Sequence, residues 1–227
     1  MTRIVVLTGA GISAESGIRT FRAADGLWED HRIEDVATPE GYAADPALVH
    51  AFYDERRRVA RAAQPNAAHR ALADLEARRP GDVLVVTQNV DDLHERAGST
   101  RVTHIHGELG SALCEACGQR MPWSGDLSGR PPCPACGVRA LRPDVVWFGE
   151  AVYGLDDISD AVALCEEFWV IGTSGAVTPA ASLVAVAAEA GARTALLNLE
   201  AHDDVRVFDD VVLGPATATV PTWAARF

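Results

Sequence analysis

A chain of 227 residues, 48% hydrophobic and 23% charged, can bury one large core, or one core carrying an inserted small module. Its formal net charge of -12 argues against bulk binding to a polyanion, because nucleic-acid binders carry the opposite sign, although a local basic pocket stays possible. No apolar run approaches the roughly 20 residues that span a bilayer, and the first one, Ile4-Val5-Val6-Leu7, is too short for a signal-peptide core, so the chain reads as cytoplasmic, with no membrane partner and no targeting or regulatory tail.

In chain order, Arg3 to Thr8 is a short β-rich run that leads at once into Gly9-Ala10-Gly11-Ile12-Ser13-Ala14. Asp30 to Gln64 has no strong strand pattern. Within it Asp45-Pro46 reads as an N-cap with proline at the first helical position, which predicts a helix from about Pro46 to Ala63. Further β-branched runs follow at Asp82 to Thr87, Val102 to Ile105, Phe168 to Ile171, Thr194 to Leu199 and Val211 to Leu213, separated by Ala-, Leu- and Glu-rich segments of helical character. Strands apolar on both faces that alternate with helices predict an α/β fold, a parallel sheet covered by helices. Ser111 to Leu141, rich in Cys, Pro and Gly, is a second interruption. The expected organisation is a large domain from 1–30, 66–110 and 141–227, with insertions 31–65 and 111–140 forming a small lobe and a binding cleft between the two.

Three motifs carry chemistry. Gly9-x-Gly11-x-x-Ala14 fits a dinucleotide fingerprint after a strand and before a helix, where glycines let backbone approach a pyrophosphate; taken alone it is equally a strand-to-helix turn. For the ribose, Glu29 and Asp30 stand at the usual distance, but no strand is expected after Gly26-Leu27-Trp28-Glu29-Asp30. Leu197-Asn198-Leu199-Glu200, at a later strand end, is the better polar tip, and Gly172-Thr173-Ser174-Gly175 is a second glycine turn after an apolar strand. Gln88-Asn89-Val90-Asp91 follows another buried strand and could be a mere turn. Downstream, His104 and His106 share one strand facing, and spacing does not choose between them as a general base near neutral pH. Cys114-x2-Cys117 and Cys133-x2-Cys136 can supply four thiolates to one structural zinc, with Gly118 and Gly137 turning the backbone after each pair. A redox or disulfide role is the alternative. Cys165 reads as a buried apolar residue.

The combination GAGIS, TQNVD, HG, two CxxC pairs, GTSG and NLE resembles the sirtuins from about Ile4 to Pro215, and GAGISAESGIRTFRAADGLW is most similar to CobB-type bacterial sirtuin deacylases. The resemblance implies a Rossmann-like large domain, a zinc-ribbon plus helical small lobe, and NAD as a consumed co-substrate. It implies that Gly9, Ala10, Gly11, Ile12, Ser13, Ser16, Thr20, Phe21, Arg22 and Trp28 border the NAD phosphates, ribose and nicotinamide side. Gln88, Asn89, Val90 and Asp91 would line the nicotinamide ribose and carboxamide pocket, with Asn89 also catalytic. Gly172, Thr173, Ser174, Asn198, Leu199 and Glu200 would hold the adenosine half, with Ala216 near adenine. His106 becomes the base and His104 structural. The implied reaction transfers the acyl group of acyl-lysine to ADP-ribose, with nicotinamide leaving, and the enzyme contributes orientation and electrostatics. Backbone of Val146, Phe148, Gly149 and Glu150, and of Gly175 and Val177, would pair with an extended substrate peptide as an added strand. The partners implied are acylated proteins, metabolic enzymes among them.

In sirtuins that remove acidic acyl groups a Tyr-x-x-Arg pair lies in the acyl pocket, and Tyr53-Asp54-Glu55-Arg56 fits that pattern. Residues three apart share a helix face, and a guanidinium fork suits the distal carboxylate of succinyl-lysine. The plainer reading packs Tyr53 in the core and pairs Arg56 with Asp54 or Glu55. Arg57 and Arg58 are expected to be solvated in either case. Two further activities share these motifs: an NAD-consuming transferase or hydrolase, and a zinc-ribbon binding module without chemistry.

Overall fold

The computed structural model describes residues 2–19, 31–174, 178, 180–201 and 205–227, together with the backbone of 27–28. Its strands are β1 (Ile4–Thr8), β2 (Leu27–Trp28), β3 (His31–Arg32), β4 (Val83–Thr87), β5 (Val102–His104), β6 (Gly107–Cys114), β7 (Arg120–Pro122), β8 (Leu141–Val145), β9 (Glu167–Ile171), β10 (Arg193–Asn198) and β11 (Asp210–Leu213). Its helices are α1 (Gly11–Ala14), α2 (Ile33–Val36), α3 (Pro39–Ala44), α4 (Pro46–Ala62), α5 (Ala67–Arg78), α6 (Leu93–Ala97), α7 (Leu155–Ala163), α8 (Leu183–Glu189) and α9 (Ala216–Ala224).

Six strands form one parallel sheet in the order β11-β10-β9-β1-β4-β5. The central strand β1 is buried along its whole length, and successive side chains of a strand point to opposite faces. Ile4 and Val6 accordingly pack with Trp169, Ala195 and Leu197 against Leu72 and Leu75 of α5 and Val220 and Trp223 of α9. Val5 and Leu7 pack with Phe168, Val170 and Leu196 against Ile158 and Val162 of α7 and Leu183 and Ala187 of α8. Two covered faces explain why these strands read as unbroken apolar runs. The chain leaves β1 toward β4 and β5, then returns on the other side through β9 to β11. The switch in strand order therefore falls between β1 and β9, and a crevice opens beyond their carboxyl ends.

The small lobe has its own antiparallel sheet, β7-β6-β8. Both flanking strands overrun the expected 111–140 insertion: the sheet begins at Gly107 and takes in Leu141–Val145, a segment the sequence reading assigned to the large domain. Beside it, α4 starts where Asp45-Pro46 predicts, with Asp45 Oδ1 accepting from the Leu48 N–H at 2.9 Å. Val49, Phe52 and Tyr53 of α4 pack with Val90, Leu93, Leu109, Val145 and Trp147 in a core that joins the lobes. Among the described residues no helix is long and apolar enough to cross a membrane.

Candidate active site

A cleft of about 1600 Å³ lies between the lobes, over the switch point. Its floor is two glycine turns pressed together. Gly9 N–H donates to Ile171 O at 2.9 Å and Gly11 N–H to Gly172 O at 2.7 Å. A Cβ on Gly11 would come within 2.7 Å of Gly172 Cα, and one on Gly9 within 2.8 Å of Gly172 O. Gly172 itself has φ +63°, the left-handed region that favours glycine. These glycines thus serve first to let the ends of β1 and β9 touch. The helix after the fingerprint differs from the expectation, since α1 is only four residues long. Ile12 is buried in the core rather than on the cleft wall. Ser16 Oγ accepts from Asn66 Nδ2 at 3.0 Å, beside the cleft lining rather than within it. Thr20, Phe21, Arg22, Gly175 and Val177 lie outside the described residues, as do Glu29, Asp30 and the side chain of Trp28.

A buried polar network forms the nicotinamide-ribose end expected from the sequence. His69 Nδ1 accepts from the Asn66 N–H at 3.3 Å, so its Nε2 carries the proton and donates to Ser13 Oγ at 3.4 Å. Ser13 in turn donates to Asp91 Oδ2 at 3.1 Å, and Asp91 Oδ1 accepts from the Leu93 N–H. Burial pushes the Asp91 carboxyl up, against these hydrogen bonds. Asn89 Nδ2 donates to Gly9 O at 3.2 Å and to Ser13 Oγ at 3.1 Å. A carbonyl only accepts, which fixes the amide orientation and turns Asn89 Oδ1 away from that network. Asn66 and His69 went unnoticed in the sequence. Their only signal was an Asn with a polar residue three positions on, which the structure uses as a capping box at the start of α5.

The two histidines separate by their partners. His106 Nδ1 meets Gln88 O at 3.2 Å; that nitrogen must donate, leaving Nε2 with a lone pair. Burial pulls His106 below the usual histidine range, so the ring is neutral and basic at pH 7. His104 Nδ1 meets Asn89 O at 2.9 Å and its Nε2 meets Glu95 Oε1 at 2.8 Å. Burial works to lower His104, but the hydrogen bond and charge of Glu95 outweigh it and hold the pKa above the ordinary value. His106 lines the cleft and His104 does not.

The opposite side of the crevice gathers Gly172, Thr173, Ser174, Asn198, Leu199, Glu200 and Ala216. Gln88 Nε2 donates to Thr173 Oγ1 at 3.3 Å, and Asn198 Nδ2 to Thr173 O at 3.1 Å. Glu15, absent from the sequence-based set, closes this end by accepting from the Thr217 N–H and hydroxyl at the start of α9.

At the small-lobe end, Tyr53 and Arg56 both line the cleft from α4. Tyr53 is fully buried and its Oη accepts from Trp147 Nε1 at 3.1 Å; burial keeps that phenol neutral, far above its usual range. The Arg56 guanidinium stands 5.7 Å from the Phe52 ring centroid. Trp147, missed in the sequence, is fixed in turn by Arg142, whose guanidinium stacks 3.5 Å over its ring. Glu150 is taken by Arg142 at 2.7 and 2.8 Å and by the Trp147 N–H. The N–H groups of Val146, Phe148 and Glu150 bond to His106 O, Ala37 O and Trp147 O.

Arg57 overturns its expectation. It is 2% exposed, donates to Asp54 Oδ1 at 2.8 Å and to Leu109 O at 2.7 Å, and reaches Gly125 O at 3.2 Å. Asp54 also accepts from the N–H groups of Leu127 and Ser128. Only Arg58 lies on the solvated face, paired with Glu55.

The four cysteines converge at the far end of the small lobe. Their Sγ atoms all lie within 4.8 Å of one another, with Cys114–Cys136 at 3.8 Å and Cys117–Cys133 at 3.9 Å. Four thiolates about 2.3 Å from one tetrahedral ion stand about 3.8 Å apart, whereas a disulfide needs about 2.05 Å. Gly118 and Gly137 have φ +71° and +77° and bond back to Cys114 O and Cys133 O, each at 2.8 Å. Two matching knuckles with all four positions filled make this a structural zinc site. Cys165 is buried, its thiol pushed up to about 11 by desolvation.

Against known proteins, the Sir2 family profile matches residues 9–179. A protein of Yersinia pseudotuberculosis named NAD-dependent protein deacylase is 55% identical over 227 residues, covering 99% of this chain and 82% of that one. A Sir2 homologue mutant solved in complex with ADP-ribose has TM-score 0.91 at 39% identity, over 98% of this chain and 90% of that one. A Sir2 protein bound to a myristoylated histone peptide has TM-score 0.76 at 33% identity, over 98% and 89%.

Proposed function

Because the chain belongs to the Sir2 family, we propose that it is an NAD-dependent protein-lysine deacylase that removes acetyl, succinyl and malonyl groups, giving nicotinamide and O-acyl-ADP-ribose. The observation that carries this reading is one cleft with a neutral base, His106, at its centre, a glycine crevice on one side and the Tyr53/Arg56 pair on the other. NAD, when bound, supplies the ADP-ribosyl acceptor and nicotinamide as the leaving group. The cleft of about 1600 Å³ has room for it, over a floor that stays closed because a Cβ at Gly9, Gly11 or Gly172 would break the contact between the two turns.

The residues divide the work. Gln88, Asn89, Val90 and Asp91 bind at the nicotinamide-ribose end, where Asn89 offers Oδ1 as an acceptor held by two hydrogen bonds through Nδ2. Gly172, Thr173, Ser174, Asn198, Leu199, Glu200 and Ala216 take the adenosine half. His106, protonated at Nδ1, keeps Nε2 to accept a proton from a sugar hydroxyl. Thr20, Phe21, Arg22 and Trp28 belong to the same cofactor set on the strength of the family resemblance. Acyl-lysine peptides enter along Val146 to Glu150, and Gly175 and Val177 belong to the same substrate set on the strength of the family resemblance. Acylated metabolic enzymes in the cytoplasm are the proposed partners, and four zinc-bound thiolates suit that reducing compartment.

For acidic acyl chains, the Tyr53 phenol and the Arg56 guanidinium line the cleft together from α4 and would receive the distal carboxylate. Such a charge-assisted contact is worth roughly 1.5–3 kcal/mol. Arg56→Met should therefore lose about ten- to a hundredfold in kcat/KM on a succinyl-lysine peptide and far less on the matched acetyl peptide, both followed by mass spectrometry. Equal losses on the two peptides would discard the carboxylate pocket. Nicotinamide release that needs no acylated peptide would replace deacylation by NAD hydrolysis.

A further inference from the structure

His104 ends β5 outside the cleft, with only 11% of its side chain exposed. Both of its ring nitrogens face acceptors, the Asn89 carbonyl and the Glu95 carboxylate, at 2.9 and 2.8 Å. A carbonyl cannot donate, so Nδ1 carries a proton, and the carboxylate favours a proton on Nε2 as well. The ring is thus an imidazolium clamped between Glu95 of α6 and the turn after β4. Two residues on, His106 Nδ1 holds the carbonyl of Gln88. Alternate residues of one segment therefore brace two consecutive peptide groups, Gln88 and Asn89.

Asn89 has few other restraints on its main chain. Its N–H donates to Thr87 Oγ1 at 3.1 Å, and its side-chain amide is tied to Gly9 and Ser13. Those partners belong to the ends of β1 and β4 and to α1. Among the described residues, its carbonyl is held by His104. A charge-assisted donor is about twice as strong as a neutral one, so the clamp limits rotation of the peptide that follows Asn89.

We infer that His104, anchored by Glu95, is a positioning residue for deacylation: it fixes the Asn89 carbonyl and through it the amide that Asn89 offers to the cleft. The inference rests on the role given to Asn89 above. A buried histidine with satisfied nitrogens can also be purely structural, and the two roles separate by which nitrogen matters. Asn at 104 can put an amide N–H near the place of Nδ1 and keep the bond to Asn89 while losing Glu95. Gln extends to the place of Nε2 and does the reverse.

The test is steady-state kinetics of His104→Asn and His104→Gln on an acetyl-lysine peptide, with thermal midpoints measured alongside. A small displacement at a reacting centre can cost on the order of a hundredfold. His104→Gln is expected to lower kcat about ten- to a hundredfold with KM for the peptide little changed, the signature of an interaction needed in the transition state. His104→Asn is expected to restore most of that loss, although both variants lose one contact. In an Asn89→Ala background, His104→Gln should cost nothing more. Equal kcat in the two variants, or a better Gln than Asn, would overturn the inference and leave His104 structural. Normal turnover by Asn89→Ala alone would overturn the role of Asn89 and this inference with it. Should His104→Gln fail to fold, Glu95→Ala at a half-exposed position carries the test: kcat lowered severalfold supports the clamp, and unchanged kcat refutes it.

Discussion

The two lobes are held together by opposite means. The large lobe has a sheet whose central strands are buried on both faces, with apolar clusters on either side that draw on five helices, α1, α5 and α9 on one face and α7 and α8 on the other. The zinc end of the small lobe has a cluster of five buried residues, Ala112, Cys114, Leu127, Cys133 and Leu141, two of them ligand cysteines. A core that small cannot offset the entropy of ordering a Gly- and Pro-rich segment, so cross-linking by a metal takes its place. The large lobe therefore supplies a rigid floor for the cleft, while the wall that carries Tyr53 and Arg56 leans on a module held together by its ion.

The largest expected effect breaks this comparison at its weakest point. Zinc in small modules contributes roughly 10–16 kcal/mol in apparent terms. Chelation, or Cys133→Ser, should strip hydrogen-exchange protection from residues 107–145 while the amides of β1, β9 and β10 keep theirs. Loss of protection in both lobes together would mean that the large sheet depends on the small lobe, and the contrast would fail.

The contrast also explains what the sequence disclosed. The central strands β1, β4, β9 and β10, buried on both faces, leave continuous apolar runs, and even the half-exposed edge strands β5 and β11 keep short β-branched runs, so each of the six was legible to within a residue or two. Two CxxC pairs carry their geometry in their spacing, and Asp45-Pro46 marks the start of α4 through local chemistry alone. What stayed hidden depends on partners distant in the chain. Gly11 needs Gly172, and no local pattern relates them. Arg57 reads as one more charge on a helix, because the carbonyls that bury it belong to Leu109 and Gly125. His104 and His106 read in the sequence as two positions of one strand facing, whereas β5 ends at His104 and their acceptors tell the two apart.

A smaller effect sharpens the comparison at the joint between the lobes. Asp54 accepts from Arg57 and from two backbone N–H groups of the zinc module, so α4 is bolted to that module by a buried charge pair. Asp54→Ala strands the Arg57 charge, which costs roughly 3–5 kcal/mol, or on the order of 10 °C in thermal midpoint. Burial works to raise the Asp54 pKa, but the Leu127 and Ser128 N–H groups and Arg57 outweigh it and hold the carboxyl below its usual range. A depressed folded-state pKa gives stability that is present above the unfolded value of about 4 and fades as pH falls through the folded one. Wild type should thus lose stability on acidification through that window, and Asp54→Ala should lose less over the same range. A midpoint unchanged by the substitution would show that the lobes are joined by apolar packing alone.

The smallest effect is the control that gives the others meaning. Arg58 follows Arg57 directly and makes a hydrogen-bonded pair of its own, to Glu55 at 2.7 Å. Unlike Arg57 it holds no backbone carbonyl among the described residues, and its pairs with Glu55 and with Asp126, at 3.3 Å, lie on a side chain that is 55% exposed, so water replaces most of what they provide. Arg58→Ala should leave both the thermal midpoint and the turnover of acetyl and succinyl peptides at wild-type values. Three consecutive arginines on one helix are then expected to give three different results, a change of acyl preference at 56, a fall in stability at 57 and nothing at 58. Their order in the chain does not predict this pattern; the environment that each α4 face meets does. A large effect at 58 would show that the exposed face of α4 also takes part in binding, and the division of this helix between cleft, joint and solvent would have to be redrawn.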